Sequence, residues 1–167
     1  MEWIKEQQLE EIRAIITHQK LKKFLELNGY IYPDLVKVFY SNLTFDGENL
    51  STHVKGIDME ITPKVWFAIT YLRYEGHQIE RGALDDFNKT FFYKACMRYP
   101  GDEVKSFGVG KLAITPRILK LLIVWFLTPK GNNHATLIEE DFMLLYCLIN
   151  KVKVNWVHIM MDHMMMA

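Results

Sequence analysis

Residues Thr136 to Met164 read T-L-I-E-E-D-F-M-L-L-Y-C-L-I-N-K-V-K-V-N-W-V-H-I-M-M-D-H-M, two apolar segments joined by a short basic link. Phe142, Leu145, Tyr146 and Ile149 fall at helical spacing, and Leu144 and Leu148 widen the stripe until the segment is apolar nearly all round. A helix of that kind belongs inside a core with other helices packed on it. Thr136 with Glu139 three residues on has the form of a capping box, and Asn155 before Trp156 is placed to cap the second helix. These signals set an architecture. They carry no chemistry.

The rest of the chain fits a mainly α domain. From Trp3 to about Leu27, the apolar residues Leu9, Ile12, Ile16, Leu21, Phe24 and Leu25 keep an approximate helical stripe. Glutamates crowd its start and lysines its end, as the helix dipole favours. A coiled coil is the alternative for this segment, although the apolar spacing slips near Thr17 to Lys20. Asn28-Gly29 is the expected left-handed cap. Pro33 fits the first turn of a second helix through Asn42, with Leu35, Val36, Phe39 and Tyr40 inward. Between Leu50 and Ile61 the apolar period shortens to two around Lys55-Gly56, which predicts a small β-hairpin, with an extended loop as the alternative.

Thr62-Pro63 predicts a capped helix start, with Val65, Trp66, Ile69 and Leu72 as the inner face. The same device recurs at Thr115-Pro116, ahead of Leu119, Leu122, Ile123 and Phe126. Asp85-Asp86 is expected to open an aromatic-rich helix through Phe87, Phe91, Phe92 and Cys96. With no long linker, the prediction is a single compact multi-helix domain with one small β-hairpin at about residues 50–61. Within it, residues 1–28 form an N-terminal helix and residues 29–167 the helical body.

Composition narrows the function classes. Twenty basic residues balance 20 acidic ones, so the basic excess that usually accompanies phosphate contacts is absent. Half the residues are hydrophobic, which argues against disorder. Cys96 and Cys147 are far apart in apolar contexts and read as buried free thiols of a reducing compartment. The charged first turns do not resemble a secretory signal peptide. The longest apolar run, Ile118 to Leu127, is interrupted by Lys120 and is about half a membrane span. These features describe a soluble intracellular protein, cytoplasmic or nuclear, with no membrane partner.

Motifs for catalysis are missing from the sequence. His158 and His163 are five apart, unlike a helical zinc pair, and His158 with Asp162 supplies only two ligands. The carboxylate clusters Asp85-Asp86, Asp102-Glu103 and Glu139-Glu140-Asp141 lie near helix starts, where negative charge is favoured anyway. There is no nucleophile elbow, phosphate-binding loop or dinucleotide fingerprint. We therefore expect no catalytic residue, metal, cofactor or small-molecule substrate. Phe91, Phe92, Tyr93 and Tyr99 lie near Lys89, Lys94 and Arg98, a pattern shared by base-stacking surfaces and by cores with snorkelling lysines.

Several blocks carry a resemblance. Gly29 to Leu43, reading G-Y-I-Y-P-D-L-V-K-V-F-Y-S-N-L, is followed by Val54-Lys55-Gly56-Ile57 and Ile61-Thr62-Pro63. Asp85 to Asn88, Ile123-Val124-Trp125, Leu127-Thr128-Pro129, Asp141 to Ile149, and Asn155-Trp156 through Met164 complete the series. In order and spacing, over about Leu27 to Met164, they resemble the plant transposon protein domain found in open reading frames of plant retroelements. The resemblance implies a retroelement-derived domain without an established catalytic mechanism or cofactor. It also implies a further helical stretch beyond Met164, so a truncated C-terminal end is expected. On that reading Trp156, Ile159, Met160, Met164 and Met165 form an exposed protein-interaction patch. The expected role is protein association or assembly without catalysis, through a protein partner or self-association. A nucleic-acid-binding accessory protein of a mobile element is the alternative, and a transposase or nuclease a more distant one.

Overall fold

A computed structural model of the chain describes residues 5–79, 87–129 and 134–166. Helices dominate, with one small antiparallel sheet. Where the sequence predicts one domain with a boundary near residue 28, the chain divides into two compact units, each made of two separate pieces. The first unit is Met1–Lys20 with Ile79–Val154, and the second is Leu21–Gln78 with Asn155–Ala167. The expected helix from Trp3 to Leu27 is two: α1 (Glu6–His18) and α2 (Lys22–Leu25). Lys20, at φ 57°, takes the left-handed conformation expected at Gly29. The break falls where the apolar spacing slips. Trp3 lies outside the described residues.

In the first unit, α1 packs on α6 (Ile114–Leu122), and α6 packs on α7 (Glu139–Ile149). Ile12, Ile15, Leu119, Ile123, Phe142, Leu144, Leu145 and Leu148 are buried there. Between α1 and α6 come α5 (Lys89–Cys96), capped by Asn88 Oδ1 accepting from Phe91 N–H at 2.9 Å, and a 3-10 turn at Val109–Lys111. The expected opening at Asp85-Asp86 lies outside the described residues. A cluster of edge-on rings joins α5 to α7: Tyr93 and Phe92 both face Phe142, and Phe107 lies 4.9 Å from Phe142 between ring centres. The Tyr93 hydroxyl donates to Gly108 C=O at 2.6 Å, which satisfies the one polar atom of a fully buried ring.

Two helix starts differ from expectation. Thr115 does not cap α6. The helix begins at Ile114, two residues before the expected start at Pro116, and the Thr115 hydroxyl donates to Glu11 Oε2 on α1 at 2.9 Å. Pro116 still sits in the first turn, where its missing N–H costs no hydrogen bond. At α7 the N-cap is Ile138 and not Thr136, and only one bond of the capping-box kind is made there, Ile138 N–H donating to Asp141 Oδ2 at 2.8 Å. Beyond Leu122 the chain continues as a π-helix, Ile123–Leu127, closed by Thr128 N–H donating to Ile123 C=O at 2.8 Å. The wider turn brings Leu127 round to the buried face and leaves Phe126, expected inward, exposed.

The second unit carries α2, α3 (Pro33–Ser41), α4 (Pro63–Thr70), α8 (Trp156–Met166) and the sheet. In place of an isolated hairpin at residues 50–61 there is a three-stranded antiparallel sheet in the order β1 (Thr44–Phe45), β2 (Leu50–Val54), β3 (Ile57–Ile61). The register runs from Leu50 opposite Ile61 to Val54 opposite Ile57. Lys55 (φ 49°) and Gly56 (φ 82°) form the connecting turn, and two positive φ values in a two-residue loop are the primed geometry that matches strand twist. Helix α3 lies against β2, with the Thr52 hydroxyl donating to Phe39 C=O at 2.8 Å. Thr62 caps α4 as expected, accepting from Val65 N–H. Tyr71 ends it in the left-handed conformation. Asn155 caps α8 through Oδ1, which accepts from His158 N–H at 3.1 Å.

Candidate association surface

The five residues expected to form an exposed patch on α8 are not found together on the surface. Trp156, Ile159 and Met160 are buried, Met164 is half-buried, and only Met165 is exposed. Asn155 fixes the first turn of α8, and the apolar side of that helix is used in burial up to Met161, leaving only the last turn open.

Exposed apolar surface lies elsewhere in the second unit. Tyr30, Ile31 and Tyr32 are 92%, 80% and 62% exposed. Val36 and Tyr40 follow Tyr32 at successive intervals of four, so the three form one stripe along α3. Both Val36 and Tyr40 were expected inward. The side that meets β2 instead holds Leu35 and Phe39, one residue back around the helix, and these are only half-buried. On α4, Ile69 departs in the same way and is exposed, while Trp66 and Thr70 are buried. Single exposed apolar residues are ordinary; a run of three followed by a helical stripe is the kind of surface that marks an interaction site.

The sheet offers a polar surface. Ser51 and His53 of β2 stand opposite Glu60 and Asp58 of β3, and Thr44 of β1 stands opposite Ser51. His53 Nδ1 lies 2.6 Å from Asp58 Oδ1. Asn42 donates to His53 C=O at 2.6 Å. These residues line an open depression of about 540 Å³. The side chains of His53 and Asp58 are both exposed and in contact with each other.

Among the remaining candidates, Asp141 proves to be more than a favourable charge at a helix start. Its Oδ2 lies 2.5 Å from Lys120 Nζ, with both side chains buried. Glu139, in the same cluster, pairs with Lys89 at 3.2 Å, while Lys111 lies 3.6 Å from Asp102. His158 and Asp162 are 3.5 Å apart on α8. Among the described residues, no three of His, Cys, Asp and Glu gather closely enough to hold a metal ion. Cys96 and Cys147 are buried free thiols, and burial pushes the Cys96 thiol up to about 11 and raises Cys147 as well. Of the aromatic residues near basic ones, Phe92 and Tyr93 belong to the core cluster, while Phe91 and Tyr99 are exposed.

Among the described residues, no helix is long and apolar enough to cross a membrane. No family model matches the chain, and no curated protein or solved structure matches it either.

Proposed function

We propose that this chain is a non-enzymatic helical domain of retroelement origin that works by protein association or assembly. The origin rests on the sequence resemblance. The role rests on one observation: the exposed run Tyr30-Ile31-Tyr32 continuing into the stripe Val36–Tyr40 on α3. Tyrosine and isoleucine at such density bury large apolar area when covered, and tyrosine adds a hydroxyl that tolerates a wet rim. Sedimentation velocity over a concentration series tests this with the wild type and an Ile31→Ser/Tyr32→Ser variant. The wild type should associate and the variant should shift toward monomer. A wild type that stays monomeric up to about 1 mM, the limit of weak binding, would count against self-association as the mode.

The nucleic-acid reading is favoured by a narrower observation. Phe91, Lys94, Arg98 and Tyr99 are all exposed on or just after α5. Aromatic and basic side chains side by side can stack on single-stranded bases. Gel shifts with single- and double-stranded DNA and RNA at low salt separate the two readings. Tight binding that weakens steeply with salt would favour the nucleic-acid role.

A further inference from the structure

Strand β3 is an edge. The sheet order places β2 on one side of it, and among the described residues no strand pairs with the other side. The turn through Lys55 and Gly56 fixes which backbone groups face outward. A two-residue loop of this type closes on a hydrogen-bonded pair, here Val54 with Ile57. Hydrogen-bonded and non-bonded pairs then alternate along an antiparallel ladder, so Ile57, Met59 and Ile61 direct their amides and carbonyls to β2. Asp58 and Glu60 turn theirs to the open edge. Residues Ile57 to Glu60 are all exposed, so the edge is accessible along most of its length.

The side chains decide what this edge accepts. Alternation puts Asp58 and Glu60 on one face, and Ile57, Met59 and Ile61 on the other. If a second copy of β3 paired antiparallel about Met59, each Asp58 would stand opposite a Glu60, and like charges directly opposite are unfavourable. That is how natural edges guard against self-pairing. A strand of opposite charge meets no such barrier. Lysine or arginine at alternate positions would lie opposite Asp58 and Glu60, and the apolar residue between them would lie beside Met59, which is 37% exposed. His53 holds one oxygen of Asp58 at 2.6 Å, which limits the rotation of that carboxylate.

We propose that β3 is a docking edge for an extended protein segment of the pattern basic–apolar–basic, which adds as a fourth strand alongside Asp58 to Glu60. Main-chain bonds supply the attachment and the two carboxylates supply the selectivity, the general logic of strand addition. The site uses none of the residues of the Tyr30–Tyr40 surface, so it goes beyond the association reading and stands or falls separately from it.

The test uses the full chain and a blocked peptide, acetyl-Thr-Lys-Val-Arg-Val-Lys-Thr-amide. Binding is followed by calorimetry, and amide exchange at Asp58 and Glu60 by NMR. The peptide should bind and slow exchange at both amides. N-methylation at its basic residues, which removes donors facing the edge, should weaken binding about tenfold or more. N-methylation at the valines, which face away, should have a much smaller effect. A version with aspartate in place of the basic residues should not bind, and Asp58→Lys/Glu60→Lys should lose the basic peptide and gain the acidic one. Both substituted side chains are exposed, and circular dichroism checks the variant's fold. The N-methylated peptides test the wild type even if that variant misfolds. No binding at millimolar peptide, binding without protection of Asp58 and Glu60, or equal binding of the two N-methylated forms would each overturn the proposal.

Discussion

Lys120 Nζ lies 2.5 Å from Asp141 Oδ2, and the two side chains are 0% and 1% exposed. The pair ties α6 to α7 inside the first unit, and the same carboxylate oxygen accepts the Ile138 amide at the start of α7. Removing one member leaves the other charge buried in an apolar setting, a loss of about 3–5 kcal/mol. Asp141→Leu and Lys120→Met are both expected to lower the urea midpoint strongly. A Lys120→Met/Asp141→Leu double variant should recover most of the loss, because a packed apolar pair avoids desolvating two charges. Losses that simply add in the double variant would show that the two residues are not coupled.

Gln19 makes a second tie within the same unit. Its Nε2 donates to Val152 C=O at 2.7 Å, and its Oε1 accepts from Val154 N–H at 3.2 Å, with the residue buried. Gln19→Leu keeps much of the volume but leaves a carbonyl and an amide without this partner. The expected cost is about 2–4 kcal/mol, from one to three for each stranded group with partial relief by water. Gln19→Glu should cost at least as much at neutral pH, because it buries a charge and turns a carboxylate oxygen toward the Val152 carbonyl. The ordering of the two denaturation midpoints is the measurement.

The raised Cys96 thiol gives a pH dependence of definite sign. Unfolded, it ionises near its ordinary value of 9.0; folded, burial delays ionisation to about 11. Above pH 9 the folded chain therefore binds more protons than the unfolded one. Stability should be unaffected by this group below pH 9 and fall as pH rises toward 11. Cys96→Ser should flatten that part of the profile. A thiol reagent at pH 8 should label Cys96 and Cys147 only at the rate at which the chain opens.

Acidic substitutions in α8 serve as a check on its burial. Ile159→Glu with Met160→Glu places two carboxylates at buried positions. The expected outcome is loss of helical circular dichroism and of cooperative unfolding, with a penalty of at least about 3 kcal/mol. A folded double variant with a larger monomer fraction would instead restore the exposed patch expected from sequence.

How far the sequence revealed the fold depended on whether a signal was local. The Thr62 cap and the Asn155 cap each involve neighbours within a few residues, and both are present. The stripe of α7 holds for Phe142, Leu144, Leu145 and Leu148, while Tyr146, expected inward, is exposed. The Thr62 and Thr115 motifs look alike, yet only one caps. The difference lies in Glu11, more than a hundred positions from Thr115, and no local pattern reports it. Lys120 within an apolar run was a readable sign that a buried partner must exist. Its partner Asp141 was hidden among three acidic residues whose helix-start position already accounted for them. The exposed stripe on α3 was missed because its apolar residues occupy two adjacent sides, and spacing alone does not say which one meets the sheet.

Because each unit is assembled from two separate pieces of chain, neither can close in the order in which it is synthesised. Helix α1 emerges early, but α6, on which it packs, lies about a hundred residues later. The sheet and α4 are made long before residues 155–167, which complete their unit. The apolar side of α1 is therefore made before the α6 face that covers it, and the open edge of β3, which follows β1 and β2, is made before α8. Acidic residues on that strand repel another nascent copy of the same sequence just when many copies are held close on one messenger.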